Sequence, residues 1–129
     1  MKIILLSGAS NSGKTTTLKA LFSQLTDGGK KNVLYIDDKD DYGDNEYVIQ
    51  HNQKKVAIVT GGDILWHCIE KMIKYANLDV LVMAYNTKFA FGLDVMTEKY
   101  KHHRVVKKLK PKDSDCKRVR DEIILHLLS

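Results

Sequence analysis

One proline and two cysteines in 129 residues exclude several classes of protein at once. With only eight glycines beside that proline, collagen-like, linker-dominated and low-complexity character are ruled out. Cys68 and Cys116 stand alone, in neither a CxxC nor a His-paired spacing. They read as reduced thiols used as small apolar residues, not as a disulfide framework or a zinc site. His51, His67, His102, His103 and His126 form no metal-ligand spacing either. No apolar run approaches the roughly 18 residues needed to span a bilayer. The run 3–6 behind Lys2 is too short for a signal-peptide core and passes straight into a glycine-rich turn. A cytoplasmic location and no membrane partner are therefore expected. Arginine is scarce as well: Arg104, Arg118 and Arg120 all lie late in the chain.

What is present describes one folded domain over residues 1–129. Hydrophobic residues make up 43% and charged residues 29% of a chain long enough to bury a core. The formal net charge of +5 is unevenly spread. Asp37, Asp38, Asp40, Asp41, Asp44 and Glu46 crowd one stretch. Lys101, Arg104, Lys107, Lys108, Lys110, Lys112, Lys117, Arg118 and Arg120 crowd another, the segment 101–120. That segment is either a solvated face or a docking surface for a protein or nucleic-acid partner.

Short apolar runs alternate with helix-period segments, the pattern of βα units on a parallel sheet. Strands are predicted at 3–6, 33–36, 56–60 and 80–84, with an edge-like fifth at 105–109. A helix over 13–25 presents Leu18, Leu21, Phe22 and Leu25 on one face and stops at Asp27, Gly28 and Gly29. A second, from about Asp63, carries Ile64, Leu65, Cys68, Ile69, Met72, Ile73 and Ala76 as a broad apolar face. A third, over 114–128, turns Cys116, Val119, Ile123, Ile124 and Leu127 inward. The polar segment 37–55 reads as a long loop, and 86–103 as a loop with a short helix. The expected fold class is α/β, with five mostly parallel strands and helices on both faces.

The chemistry is concentrated in Gly8-Ala9-Ser10-Asn11-Ser12-Gly13-Lys14-Thr15, a full match to GxxxxGK[ST] set between a buried strand and a helix. Glycines let consecutive N–H groups turn inward around phosphate oxygens, and the new helix adds its positive end. Lys14 would reach the β- and γ-phosphates, and the Thr15 hydroxyl would ligate Mg²⁺. Thr16 follows in the same turn.

These residues resemble the Walker A motif of the P-loop NTPase superfamily. The longer run through Thr16, Thr17 and Leu18 is similar to small bacterial and phage ATP-binding proteins. It is also similar to the molybdopterin-guanine-dinucleotide accessory family. The motif-level likeness covers residues 1–25. It implies a three-layer α/β/α domain with strand order 2-3-1-4-5, with the nucleotide at the carboxyl ends of the strands.

Such a site needs a carboxylate to hold the Mg²⁺ water shell or to activate a nucleophile. Asp63, after the run 56–60, is a candidate for metal binding and catalysis, or an N-cap. Asp37 and Asp38, after the second strand, are candidates for base chemistry, or a solvated turn. Asn86, Thr87 and Lys88 follow the fourth strand, where the lysine would meet phosphate or base. No Asn-Lys-x-Asp signature and no Asp-x-x-Gly switch are present, so ATP is expected over GTP. No Leu-Ser-Gly-Gly transporter signature occurs, and the paired-lysine form of the P-loop is lacking. Two functions follow as expectations. The favoured one is an ATPase or kinase-like phosphotransferase using Lys14, Thr15 and either Asp63 or Asp38. The alternative is a nucleotide-dependent switch that docks through 101–120. The shortage of arginines leaves room for one supplied by another subunit.

Overall fold

Seven residues, Lys2–Gly8, form the first strand, β1, and every one of them is buried. A strand apolar on both faces must lie inside a sheet with helices above and below, and β1 does. The computed structural model describes residues 1–9, 13–37, 44–61, 64–86 and 116–128, and the backbone of 101–106. In chain order the elements are β1, α1 (Lys14–Thr26), β2 (Val33–Asp37), β3 (Glu46–His51), β4 (Lys54–Val59), α2 (Leu65–Lys74), β5 (Val80–Asn86), β6 (Lys101–Val106) and α3 (Cys116–Leu128).

The strands make one sheet in the order β2-β3-β4-β5-β1-β6. β1 pairs in parallel with β5 and β6, and β4 pairs in parallel with β5. β3 runs antiparallel to both β2 and β4. This overturns the expected five mostly parallel strands in order 2-3-1-4-5. The sheet is mixed and has six strands. The strand that carries the glycine-rich motif is flanked by β5 and β6, not by the run at 56–60.

The extra strand comes from the segment expected to be a loop. β3 and β4 are joined by a two-residue turn, Asn52 (φ 49°) and Gln53 (φ 65°), both in the left-handed region. Two such residues match the twist of a tight hairpin. Without the usual glycine the turn carried little signal. Residues 101–106 also depart from expectation: they form a full strand on β1, beginning earlier than the predicted 105–109.

The core is split by the sheet. On one face Ile4, Leu6, Ile49, Ile58 and Val82 pack against Leu18 and Leu21 of α1 and Val119, Ile123 and Leu127 of α3. Phe22 and Leu25 are partly buried against the same cluster, and the Phe22 ring stacks on Tyr47 at 3.9 Å. On the other face Ile3, Leu5, Ala57, Leu81 and Met83 pack against Cys68, Met72 and Tyr75 beside α2. Both cysteines are free thiols. α2 buries a narrower stripe than its sequence suggests, since Ile64 and Ile73 are exposed. The carbonyls at the end of α3 accept from lysines at the amino edge of the sheet. Lys2 Nζ donates to His126 O, and Lys54 Nζ to Leu127 O at 3.5 Å. That contact satisfies part of a helix end that otherwise lacks partners. Among the described residues no helix is long and apolar enough to cross a membrane.

Candidate phosphate-binding site

The site grows from the carboxyl end of β1. Gly8 is the last residue of the strand, in register with Asn86 at the end of β5. Gly13 caps α1 at φ 94° and ψ 17°, a left-handed conformation that strains any residue with a Cβ. Gly13 itself offers no side chain to cap α1, and the first turn of the helix holds no acidic residue. The leading N–H groups of the helix and its dipole both point toward this end, the end that favours an anion.

Lys14, the first residue of α1, is buried, and its ammonium folds back over the end of β1. Nζ donates to Gly8 O and Ala9 O, each at 2.8 Å. A buried ammonium needs such acceptors to offset its lost hydration. They fix the charge at the mouth of the strand. Thr15 is exposed, and its Oγ1 donates to the main-chain oxygen of Thr60, just past β4, at 3.3 Å. Thr17 is fully buried. Its hydroxyl donates to Gly13 O at 2.8 Å and lies 3.2 Å from Cys116 Sγ, so the start of α3 backs the start of α1. Ser10, Asn11 and Ser12 lie outside the described residues.

The carboxylates sort differently from expectation. Asp37 ends β2, which stands four strand positions from β1. At about 4.8 Å per position that is roughly 19 Å, too far to touch a phosphate held at Lys14. Asp38 and Asp63 lie outside the described residues, as do Thr87 and Lys88. The helix that Asp63 was expected to cap has Ile64 at its N-cap, with no side-chain cap bond.

Asp44, which the sequence offered only as one of six acids in a run, is drawn in by β3. The Asn45 N–H donates to Thr60 Oγ1 at 2.9 Å, and the Thr60 N–H donates to Asn45 O at 3.0 Å. This stitching lays the Asp44 carboxylate against Gly61, where an added Cβ would come within 2.6 Å of Asp44 Cγ. A carboxylate thus sits one residue beyond the carbonyl that Thr15 engages. The available clue was Thr60-Gly61-Gly62, a place where something must approach the backbone closely. Among the described residues no group of three or more His, Cys, Asp or Glu side chains is placed to hold a metal ion by itself.

A second polar cluster lies nearby on the α2 face. Glu46, fully buried at the start of β3, accepts from Lys71, from Tyr75 Oη and from Lys74 Nζ at 2.9 Å. Burial pushes its carboxyl up, but the hydrogen bonds from Lys71, Tyr75 and Lys74 outweigh that and hold it below the usual range. Burial and the neighbouring Glu46 push the Tyr75 phenol well above its ordinary value. At neutral pH Tyr75 is therefore a neutral donor and Glu46 an anion that ties α2 to the sheet. In the basic segment, Lys117 and Arg118 pair along α3 with Asp121 at 3.3 Å and Glu122 at 3.0 Å.

Comparison with known protein families, curated proteins and solved structures finds no match to this chain.

Proposed function

We propose that the chain binds a nucleoside triphosphate with Mg²⁺, ATP in preference to GTP, and acts as an ATPase or kinase-like phosphotransferase. One observation carries this reading. Gly13 opens α1 in a left-handed turn, and Lys14 is held at 2.8 Å from the carbonyls of Gly8 and Ala9. A fixed ammonium beside the positive end of a helix is the arrangement that a polyphosphate calls for. The likeness of residues 8–15 to the Walker A motif adds to it, and the cytoplasm, where ATP is abundant, is the location we assign.

The residues present suit Mg²⁺, which binds through one or two protein oxygens and keeps most of its waters. The Thr15 hydroxyl would be one such oxygen, and the Asp44 carboxylate would hold a water of the ion's shell or act as a base. The bound ion would neutralise charge on the phosphates. Lys14 would orient the β- and γ-phosphoryl oxygens, and the first N–H groups of α1 would take up charge developing on them. Asp63 and Asp38 stay as further candidates for the same carboxylate role. The alternative of a switch docking through 101–120 gains less support, because Lys117 and Arg118 are already paired within α3.

Titration with a fluorescent ATP analogue, with and without Mg²⁺, tests the binding. Single-turnover reaction with γ-labelled ATP tests the chemistry. Lys14→Ala is expected to weaken binding by about a hundredfold, the loss of a charge-assisted bond in a desolvated site. Equal binding by the wild type and Lys14→Ala would remove the reading. Tight binding with no release or transfer of phosphate would leave the switch in its place.

A further inference from the structure

The two edges of the sheet are unlike. β6 reads Lys-His-His-Arg-Val-Val, with charge along it, a usual protection against strand-to-strand association. β2 reads Val-Leu-Tyr-Ile-Asp, with no lysine, arginine or proline. Leu34 is 53%, Tyr35 46% and Ile36 43% exposed, so three consecutive large apolar residues face solvent on an edge strand. The patch continues onto α2. Lys74 Nζ lies 5.8 Å from the centroid of the Tyr35 ring, so the stem of that lysine borders the edge. An apolar surface spanning a strand edge and the adjoining helix marks an association site.

The charge at the two ends of β2 identifies the occupant. Lys30 and Lys31 precede the strand, and Asp37 ends it. In an antiparallel crossing of two identical strands, the basic end of each lies beside the acidic end of the other. The surface is therefore complementary to itself, as a two-fold symmetric interface requires. A parallel approach would set like charges together.

We propose that β2 pairs antiparallel with β2 of a second copy of this chain, joining two sheets into one. Tyr35 of the two copies lies on the α2 face of the joined sheet, and Ile36 on the opposite face. The pairing lies at the far edge from β1, so it leaves the phosphate site of each copy open.

Sedimentation equilibrium of the full chain from micromolar to millimolar concentration tests this. A reversible dimer is expected, and a monomer throughout would overturn the proposal. Lys30→Glu with Lys31→Glu sets acids beside Asp37 at both ends of the paired strands, and Asp37→Lys sets bases beside Lys30 and Lys31. Each variant is expected to weaken the dimer about tenfold, the scale of two exposed pairs turned repulsive. Circular dichroism confirms that each remains folded. Mixing the two variants places the introduced acids of one chain opposite the introduced base of the other, and leaves the original pairs at the second end. A heterodimer of wild-type strength is then expected. No gain on mixing, or charge variants that dimerise as the wild type does, would each overturn the antiparallel β2 pairing.

Discussion

Thr15 Oγ1 meets the main-chain oxygen of Thr60 at 3.3 Å, and this single bond joins the turn that opens α1 to the end of β4. β4 is not a neighbour of β1. The contact therefore brings a second strand end to the motif across the intervening β5. The same threonine is the hydroxyl that Mg²⁺ would take, so metal binding would exchange one oxygen partner for another.

Thr15→Val keeps the shape and removes the hydroxyl. The residue is exposed and its bond is long, so stability is expected to fall by about 0.5 kcal/mol or less. The Mg²⁺-dependent part of ATP-analogue binding is expected to disappear, while binding in EDTA stays as in the wild type. Thr15→Ser is expected to restore the metal response. An unchanged Mg²⁺ response in Thr15→Val would take the hydroxyl out of the metal site.

Gly61 and Asp44 are expected to behave as one unit. Gly61→Ala puts a methyl where the Asp44 carboxylate lies, displacing it at a cost of about 1 kcal/mol in chemical denaturation. Asp44→Ala removes the carboxylate outright. If Asp44 organises the nucleophile, each change lowers single-turnover phosphate release by about a hundredfold. The double variant is then no slower than Asp44→Ala, because coupled sites are non-additive. Additive losses would separate the two residues.

Glu46 and Tyr75 set opposite pH limits on stability. The Glu46 carboxyl is held below its ordinary 4.5 in the folded chain. Its contribution is complete above that value and is lost as pH falls through the lower folded value. The Tyr75 phenol is raised above its ordinary 10.0. Its contribution is complete below pH 10.0 and is lost as pH climbs toward the raised folded value. Urea denaturation of Glu46→Gln at neutral pH is expected to show a loss of about 2 kcal/mol, because Lys71 and Lys74 lose a buried anion but keep some solvent. The acid limb of its stability curve is expected to be shallower than that of the wild type. A parallel acid limb would assign the pH dependence elsewhere.

The β3–β4 hairpin gives a stabilising prediction. Gln53 holds φ 65°, where a side chain strains the backbone. Gln53→Gly produces the Asn-Gly pair that such turns favour and is expected to add about 1 kcal/mol. A raised midpoint at constant slope in urea would show it.

The β1–α1 unit was legible in the sequence for a local reason. Ile3 to Leu6, the glycines and the spacing of Leu18, Leu21 and Leu25 all act within one βα unit. β3 was not legible. It opens on Glu46, a charge tolerated there because Lys71, Lys74 and Tyr75 arrive from a distant helix. It ends on Asn52 and Gln53, a turn with no glycine. The strand order was out of reach for the same kind of reason. Which parallel strands become neighbours depends on crossovers, and periodicity along one strand carries no record of them. Asp44 could not be told from Asp37 before folding, since six acids in one run look alike. The hairpin puts Asp44 against Gly61 and leaves Asp37 on the far edge.

Lys2 stands opposite Val80 on one side and Lys101 on the other, and so on along β1. The strand that carries the glycine-rich motif thus pairs only with strands that lie far behind it in the chain, and is among the last to find its place. While the ribosome is still making β4, β1 has neither of its two sheet neighbours. Pairing across such sequence distances is slow and leaves apolar strands unprotected meanwhile. A nascent chain halted before β6 would hold Gly8 and Lys14 in a half-built sheet. On the proposed function, nucleotide capture would then follow the docking of β5 and β6, making the ligand a late folding partner.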